Sequence, residues 1–135
     1  MSWQVLLVRL PGALGSLAEL PSGWAPPPLG GPQLVAERIG AAAAKASVEL
    51  DCDGERTVVL RCDDFVIEAE LGGFTSVDRV LLRVLGSDAV WPLIGSLAQA
   101  LDASAVDCET DAVLDADTMV PDTLREWQTR LDDLR

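Results

Sequence analysis

The chain contains no histidine in its 135 residues. Histidine is the commonest general base near neutral pH, the base of Ser-His-Asp and Cys-His sites, and a frequent ligand of transition metals. The glycine-rich phosphate-binding motifs G-x-x-x-x-G-K-[ST] and G-x-G-x-x-G are missing as well. We therefore expect a non-enzymatic protein that needs neither a cofactor nor a metal ion.

The chain also lacks any run of eighteen apolar residues, and its first ten residues show no basic leader or small-residue cleavage site. Cysteine is scarce: Cys52, Cys62 and Cys108 form no C-x-x-C pair and leave one thiol unpaired in any disulfide scheme. Because free thiols persist in reducing compartments, we expect a cytoplasmic protein that does not associate with membranes.

The net charge of -12 is unevenly distributed along the chain. Residues 1–47 carry three basic and two acidic side chains, whereas residues 48–135 carry seven basic and 20 acidic ones. Nucleic acids and anionic membranes are poor partners for such a chain, since binding them requires a basic surface. A basic protein is the partner that this charge favours.

The length and the 49% hydrophobic content predict a single domain, residues 1–135, with a core of its own. The apolar pattern predicts an α+β fold: a mainly antiparallel sheet of about five to six strands with helices packed on it, in the order β-α-β-β-β-α-β(β)-α. Residues 3–10 are predicted to form a central strand, which is followed by a proline-rich loop. Pro32 then opens a helix with the inner face Val35, Ile39, Ala42 and Ala46.

From residue 47 the apolar period becomes two, which predicts consecutive hairpins. Keeping the apolar side chains on one face fixes the expected registers. The registers place Leu50 opposite Val58 across a loop of three residues or a bulge, Leu60 opposite Ile67 across the turn at Asp63-Asp64, and Ala69 opposite Val80 across Gly72-Gly73. The last of these registers sets Glu70 opposite Arg79 on the outer face of the sheet.

A second helix should follow Gly86, with Ser87 or Asp88 as its cap and Pro92 in its first turn. Its inner face is predicted to consist of Val90, Ile94, Leu97 and Leu101. Brief strands are expected at residues 104–108 and 112–114. A last helix should open at Pro121 or Asp122, with the apolar stripe Leu124, Trp127, Leu131 and Leu134.

The acidic segment after the second helix supplies the candidate partner contacts, because its carboxylates fall together on a short stretch rich in loops. They are Asp107, Glu109, Asp111, Asp115 and Asp117. Trp24, in the proline-rich loop, and Trp91, at the start of the second helix, are candidate anchors, since tryptophan is enriched at binding hot spots. The alternative for both tryptophans is packing against the core, and for the carboxylates it is solubility.

Four stretches together resemble a group of small bacterial α/β proteins: MSW running into the first strand, PPPLG before the first helix, VDRVLLRVLG leading into the second, and DCETDAVLD after it. Some members of that group are similar to immunity proteins encoded beside polymorphic or contact-dependent toxins. The group has no agreed catalytic residues that could be transferred to this chain. The resemblance implies a binding role, in which the chain neutralises a cognate toxin by covering its active site.

Two other functions stay open on the sequence. One is an adaptor or self-associating module that uses the sheet face or the loop around Trp24. The other is an enzyme that works with carboxylates or a divalent metal. In that case binding of the metal ion should raise the thermal stability of the protein.

Overall fold

The protein forms one antiparallel sheet of seven strands with two helices, in a computed structural model that describes residues 3–10, 18, 20–52, 56–72, 76–86, 90–109 and 112–114. The strand order is β2-β3-β4-β5-β1-β6-β7. The elements are β1 (Trp3–Val8), α1 (Pro32–Lys45), β2 (Glu49–Cys52), β3 (Thr57–Arg61), β4 (Phe65–Gly72), β5 (Arg79–Gly86), α2 (Trp91–Ala100), β6 (Ser104–Asp107) and β7 (Val113–Leu114).

This architecture confirms the predicted α+β class and the central position of β1 between β5 and β6. The predicted strand number was too low. Four strands lie between the helices, as the three predicted registers require, whereas the predicted element order counted only three there. The predicted last helix lies outside the described residues.

The inner face of the sheet carries the hydrophobic core. Strand β4 shows the period of two most clearly, with Phe65, Ile67, Ala69 and Leu71 all buried and Glu68 and Glu70 exposed between them. Both helices pack on this inner face, and their buried residues belong to the same cluster as the inward strand residues. Full burial of each large aliphatic side chain contributes about 1.5–3 kcal/mol.

The inner faces of the helices differ slightly from the predicted ones. Helix α1 buries Val35, Ile39, Ala42 and Ala43, whereas Ala46 lies exposed just beyond its end. Helix α2 buries Trp91, Leu93, Ile94, Leu97 and Ala98. Its N-cap is Val90, without a side-chain hydrogen bond. The expected caps, Ser87 and Asp88, lie outside the described residues.

The β3–β4 register matches the prediction, with Leu60 opposite Ile67. The other two registers are each displaced by two residues. Leu50 lies opposite Leu60 instead of Val58, and Ala69 lies opposite Leu82 instead of Val80. A shift of two residues keeps every apolar side chain on the predicted face, since the side-chain period of a strand is two.

The β4–β5 shift has a visible cause in the backbone of Val77. Its amide donates to the carbonyl of Gly30 at 2.7 Å, and its carbonyl accepts from the amide of Leu29 at 2.6 Å. Because both groups are used by the proline-rich loop, Val77 leaves the β4–β5 ladder and the connection between these strands lengthens. The outer-face pairing changes with it: Arg79 lies opposite Gly72 instead of Glu70, and Arg83 lies opposite Glu68.

The proline-rich loop is fixed at its second half. Leu29 is buried in the core at 2% exposure. Arg9 adds a second attachment, because its guanidinium donates to the carbonyls of Pro28 (2.7 Å), Asp102 (3.2 Å) and Leu101 (3.3 Å). The side chain thereby joins the end of β1, the loop and the C-terminal end of α2. Over the described ranges, neither helix has the length and apolar character needed to cross a bilayer.

Candidate partner-binding surface

The turn after β6 holds the first two candidate carboxylates in different environments. Asp107 lies opposite Val5 on the inner face and is 1% exposed. Its Oδ1 accepts a hydrogen bond from the backbone amide of Glu109 at 2.9 Å. This is the local geometry with which aspartate shapes turns. Glu109 is exposed.

Asp107 is therefore placed differently from the surface position that its charge suggested. It positions the turn, and Glu109 carries the accessible charge. Two backbone bonds hold the same turn: the amide of Cys108 donates to the carbonyl of Gln4 (3.1 Å), and the amide of Asp107 donates to the carbonyl of Ala112 (2.9 Å). Asp111, Asp115 and Asp117 lie outside the described residues.

The two tryptophans are also in different environments. Trp91 is 7% exposed and belongs to the core, in agreement with the alternative of core packing. Trp24 is half-buried and closes a turn, its amide donating to the carbonyl of Pro21 at 3.2 Å. Gly23 supplies the positive φ of +80° that the third position of a type II turn requires. Among the described residues of this loop Leu29 is the buried one, and Trp24 is partly accessible.

Two further exposed carboxylates lie at the same end of the sheet as Glu109. Asp63 and Asp64 form the β3–β4 turn, and both are exposed. In an antiparallel sheet the turn that precedes β4 and the end of β6 point the same way, because β4 begins where β6 ends. Three strand spacings separate β4 from β6, which is about 14 Å. We call Asp63, Asp64 and Glu109 the acidic end.

Sequence reasoning used Asp63 and Asp64 only as a turn signal. The strand order brings them to the end of the sheet that also carries Glu109, and that order depends on β1 entering between β5 and β6. No local pattern encodes this insertion, so the grouping was not visible in the sequence.

The outer face of β3, β4 and β5 carries charges of both signs. Arg83 lies opposite Glu68, and its Nη2 lies 3.2 Å from Oε2 of Glu70. The side chains of Arg83 and Glu70 are 45% and 51% exposed, so their ion pair contributes little to stability. Leu85, on the same face, is 43% exposed. This face is nearly balanced in charge, which distinguishes it from the acidic end.

Within the described ranges, no three residues among histidine, cysteine, aspartate and glutamate lie close enough together to hold a metal ion.

Compared with known protein families, with curated proteins and with solved structures, the chain shows no significant match to any of them.

Proposed function

We propose that this chain is a non-enzymatic, immunity-type binding protein that neutralises a basic toxin domain by covering its active site. The observation that carries the proposal is the acidic end, where Asp63, Asp64 and Glu109 are exposed on two turns of one sheet. Active sites that bind phosphate backbones are lined by cations, and carboxylates on fixed turns complement such cations without a cost of ordering flexible loops.

The charge of the whole chain supports the same partner. At -12 the protein attracts a basic domain over distances up to the Debye length, about 8 Å at physiological ionic strength. Attraction of this kind raises association rates by about 10- to 1000-fold at low salt. Fast capture is an advantage for a protein that must intercept a toxin before the toxin reaches its substrate.

We place this function in the cytoplasm. Cys62 is partly exposed and carries a free thiol. Accessible unpaired thiols are stable in a reducing compartment, where disulfides are rare.

The first experiment identifies the partner by affinity capture from a native lysate. The tagged full-length chain is loaded at low salt and eluted with a salt gradient, and the retained proteins are identified. A basic toxin or nuclease domain released by salt is the expected result. Partners that elute only with detergent would contradict an electrostatic interface.

The second experiment tests the surface with the captured partner. Reversing the acidic end, in the double variant D63K/D64K and in the single variant E109K, should slow association by about 10-fold or more at low salt. The matched control is E37K, which reverses an exposed carboxylate in the middle of α1. If E37K slows association as much as the other two variants, net charge alone is responsible and the acidic end is not the contact surface.

The second candidate function is an adaptor or self-associating module, and the exposed Leu85 on the outer face favours it. Together with Leu50, 42% exposed on the edge strand β2, it offers apolar contact on the sheet. An interface of this kind is insensitive to salt. The variant L85K should abolish it, whereas the reversal of the acidic end should leave it unchanged.

A further inference from the structure

We infer that the groove between α1 and α2 is a binding site for an elongated organic dianion with an apolar body. The two helices run antiparallel on the inner side of the sheet and touch through small residues. The groove that remains on their outer side has a volume of about 410 Å³, within the usual range of small-molecule sites. Four alanines line it, Ala41, Ala42, Ala46 and Ala100.

The charge of the groove is opposite to that of the protein. Among the described residues, Arg38 and Lys45 are the charged ones that line it, and no described carboxylate does so. In the part of the chain that the structure describes, the ion pairs join other residues, Arg79 with Asp78 and Arg83 with Glu70. Two cations that line one groove, in a chain of charge -12, mark it as a place where an anion is accommodated.

The stability of α1 accounts for the position of only one of these two cations. Lys45 is in the last turn of α1, where a positive charge interacts favourably with the helix dipole. Arg38 is in the middle of the helix and gains nothing from that effect. Arg38 is half-buried and lines the groove.

The spacing of the cations defines the ligand. Arg38 and Lys45 are two helical turns apart on one side of α1, which separates their Cα atoms by about 10 Å. A ligand with an anionic group at each end and an apolar middle satisfies both cations and covers the alanine methyl groups between them. Repulsion from the acidic remainder of the chain does not prevent this contact, because solvent ions screen exposed charges beyond about 8 Å.

The polar groups on the α2 side limit where the anions can bind. The hydroxyl of Ser96 donates its proton to the carbonyl of Pro92 at 3.1 Å, so its oxygen can only accept a further hydrogen bond. An anionic group therefore gains nothing at Ser96. Gln99 is the neutral donor on this wall.

The test uses decanedioate as the probe, since its extended chain is comparable in length to two helical turns. Decanoate and 1,10-decanediol, which carry one and no charge, are the matched compounds. Titration of the isotope-labelled full chain, followed by amide NMR shifts, should give a Kd of about 1 mM for decanedioate, at least about 5-fold weaker binding for decanoate and none for the diol. The shifts should include Ala42 and Gln99.

Two variants assign the binding to the groove. R38Q and K45Q should each weaken decanedioate binding by about 5-fold or more, whereas R61Q, an exposed arginine on the outer sheet face, should leave it unchanged. A41F should block the groove, and its folding is checked by the dispersion of its amide spectrum. Equal binding by R38Q, K45Q and R61Q, or no shift of Ala42 and Gln99 at about 10 mM probe, would overturn the inference.

Discussion

Asp107, 1% exposed, accepts a hydrogen bond from the backbone amide of Glu109 at 2.9 Å. Replacing Asp107 with alanine removes the acceptor and leaves that amide without it. We expect D107A to lower the free energy of unfolding by about 1–3 kcal/mol, and D107N, which keeps an oxygen in place, to lower it less. Urea denaturation measures both losses, and amide hydrogen exchange at Glu109 should accelerate in D107A. Equal losses in the two variants would mean that this bond is not what Asp107 contributes.

Arg9 offers a second test, because it joins three backbone carbonyls from distant parts of the chain. R9A should lower the free energy of unfolding by about 2 kcal/mol, since hydrogen bonds from charged donors are the stronger ones. R9K should recover only part of that loss, because a single ammonium group cannot reproduce the planar fork of the guanidinium. R61A, measured by the same denaturation curves, should change stability by less than about 0.5 kcal/mol. A full recovery in R9K would show that charge alone matters at this position.

Gly86 is required at the end of β5. Its φ is +126°, and a Cβ there would collide with the carbonyl oxygen of Asp64 and come within 2.6 Å of Cα of Phe65. We expect G86A to lower the free energy of unfolding by about 3 kcal/mol or more. The control is G31A, where φ is -69° and the added methyl group meets nothing within 4 Å; its cost should stay below about 1 kcal/mol. Thermal melts that rank the two variants in the opposite order would contradict the strained geometry at Gly86.

Gly40 is expected to behave in the opposite way. It lies in the interior of α1, and the nearest atom to an added Cβ is Cδ2 of Leu50 at 3.2 Å. Leu50 is 42% exposed and can rotate away. G40A should therefore raise the free energy of unfolding by about 0.5–1 kcal/mol, because alanine loses less backbone entropy in a helix. A destabilised G40A would show that the contact between α1 and β2 is too tight to adjust.

The sequence was sufficient to predict which residues of β3, β4 and β5 face the core, and insufficient to predict how long the connections are. Across the tight turn at Asp63-Asp64 the register was predicted correctly. Across the longer β4–β5 connection it was wrong by two residues, because Val77 pairs with Gly30, a residue far away in the chain. Hydrogen bonds between distant segments leave no local signal.

The burial of Asp107 was predictable in part. Ala105 and Asp107 share one face of β6 by the period of two, and Ala105 is buried as well. The acidic composition of the segment suggested a surface position instead. Composition, however, does not tell which face of a strand a charged residue occupies. The grouping of Asp63, Asp64 and Glu109 was not predictable, since it follows from the strand order of the whole sheet.

The central position of β1 has a consequence for synthesis on the ribosome. Its two neighbours, β5 and β6, are separated from it by residues 9–78 and 9–103, so β1 has no partner strand until most of the chain has emerged. The consecutive strands β2 to β5 can pair first, through short connections. Until β1 inserts, β5 presents an open edge on which another nascent chain can add a strand. In a split-protein reporter of this fold, β1 is therefore the strand to supply as a separate peptide, since it inserts beside β5 after the other strands have paired.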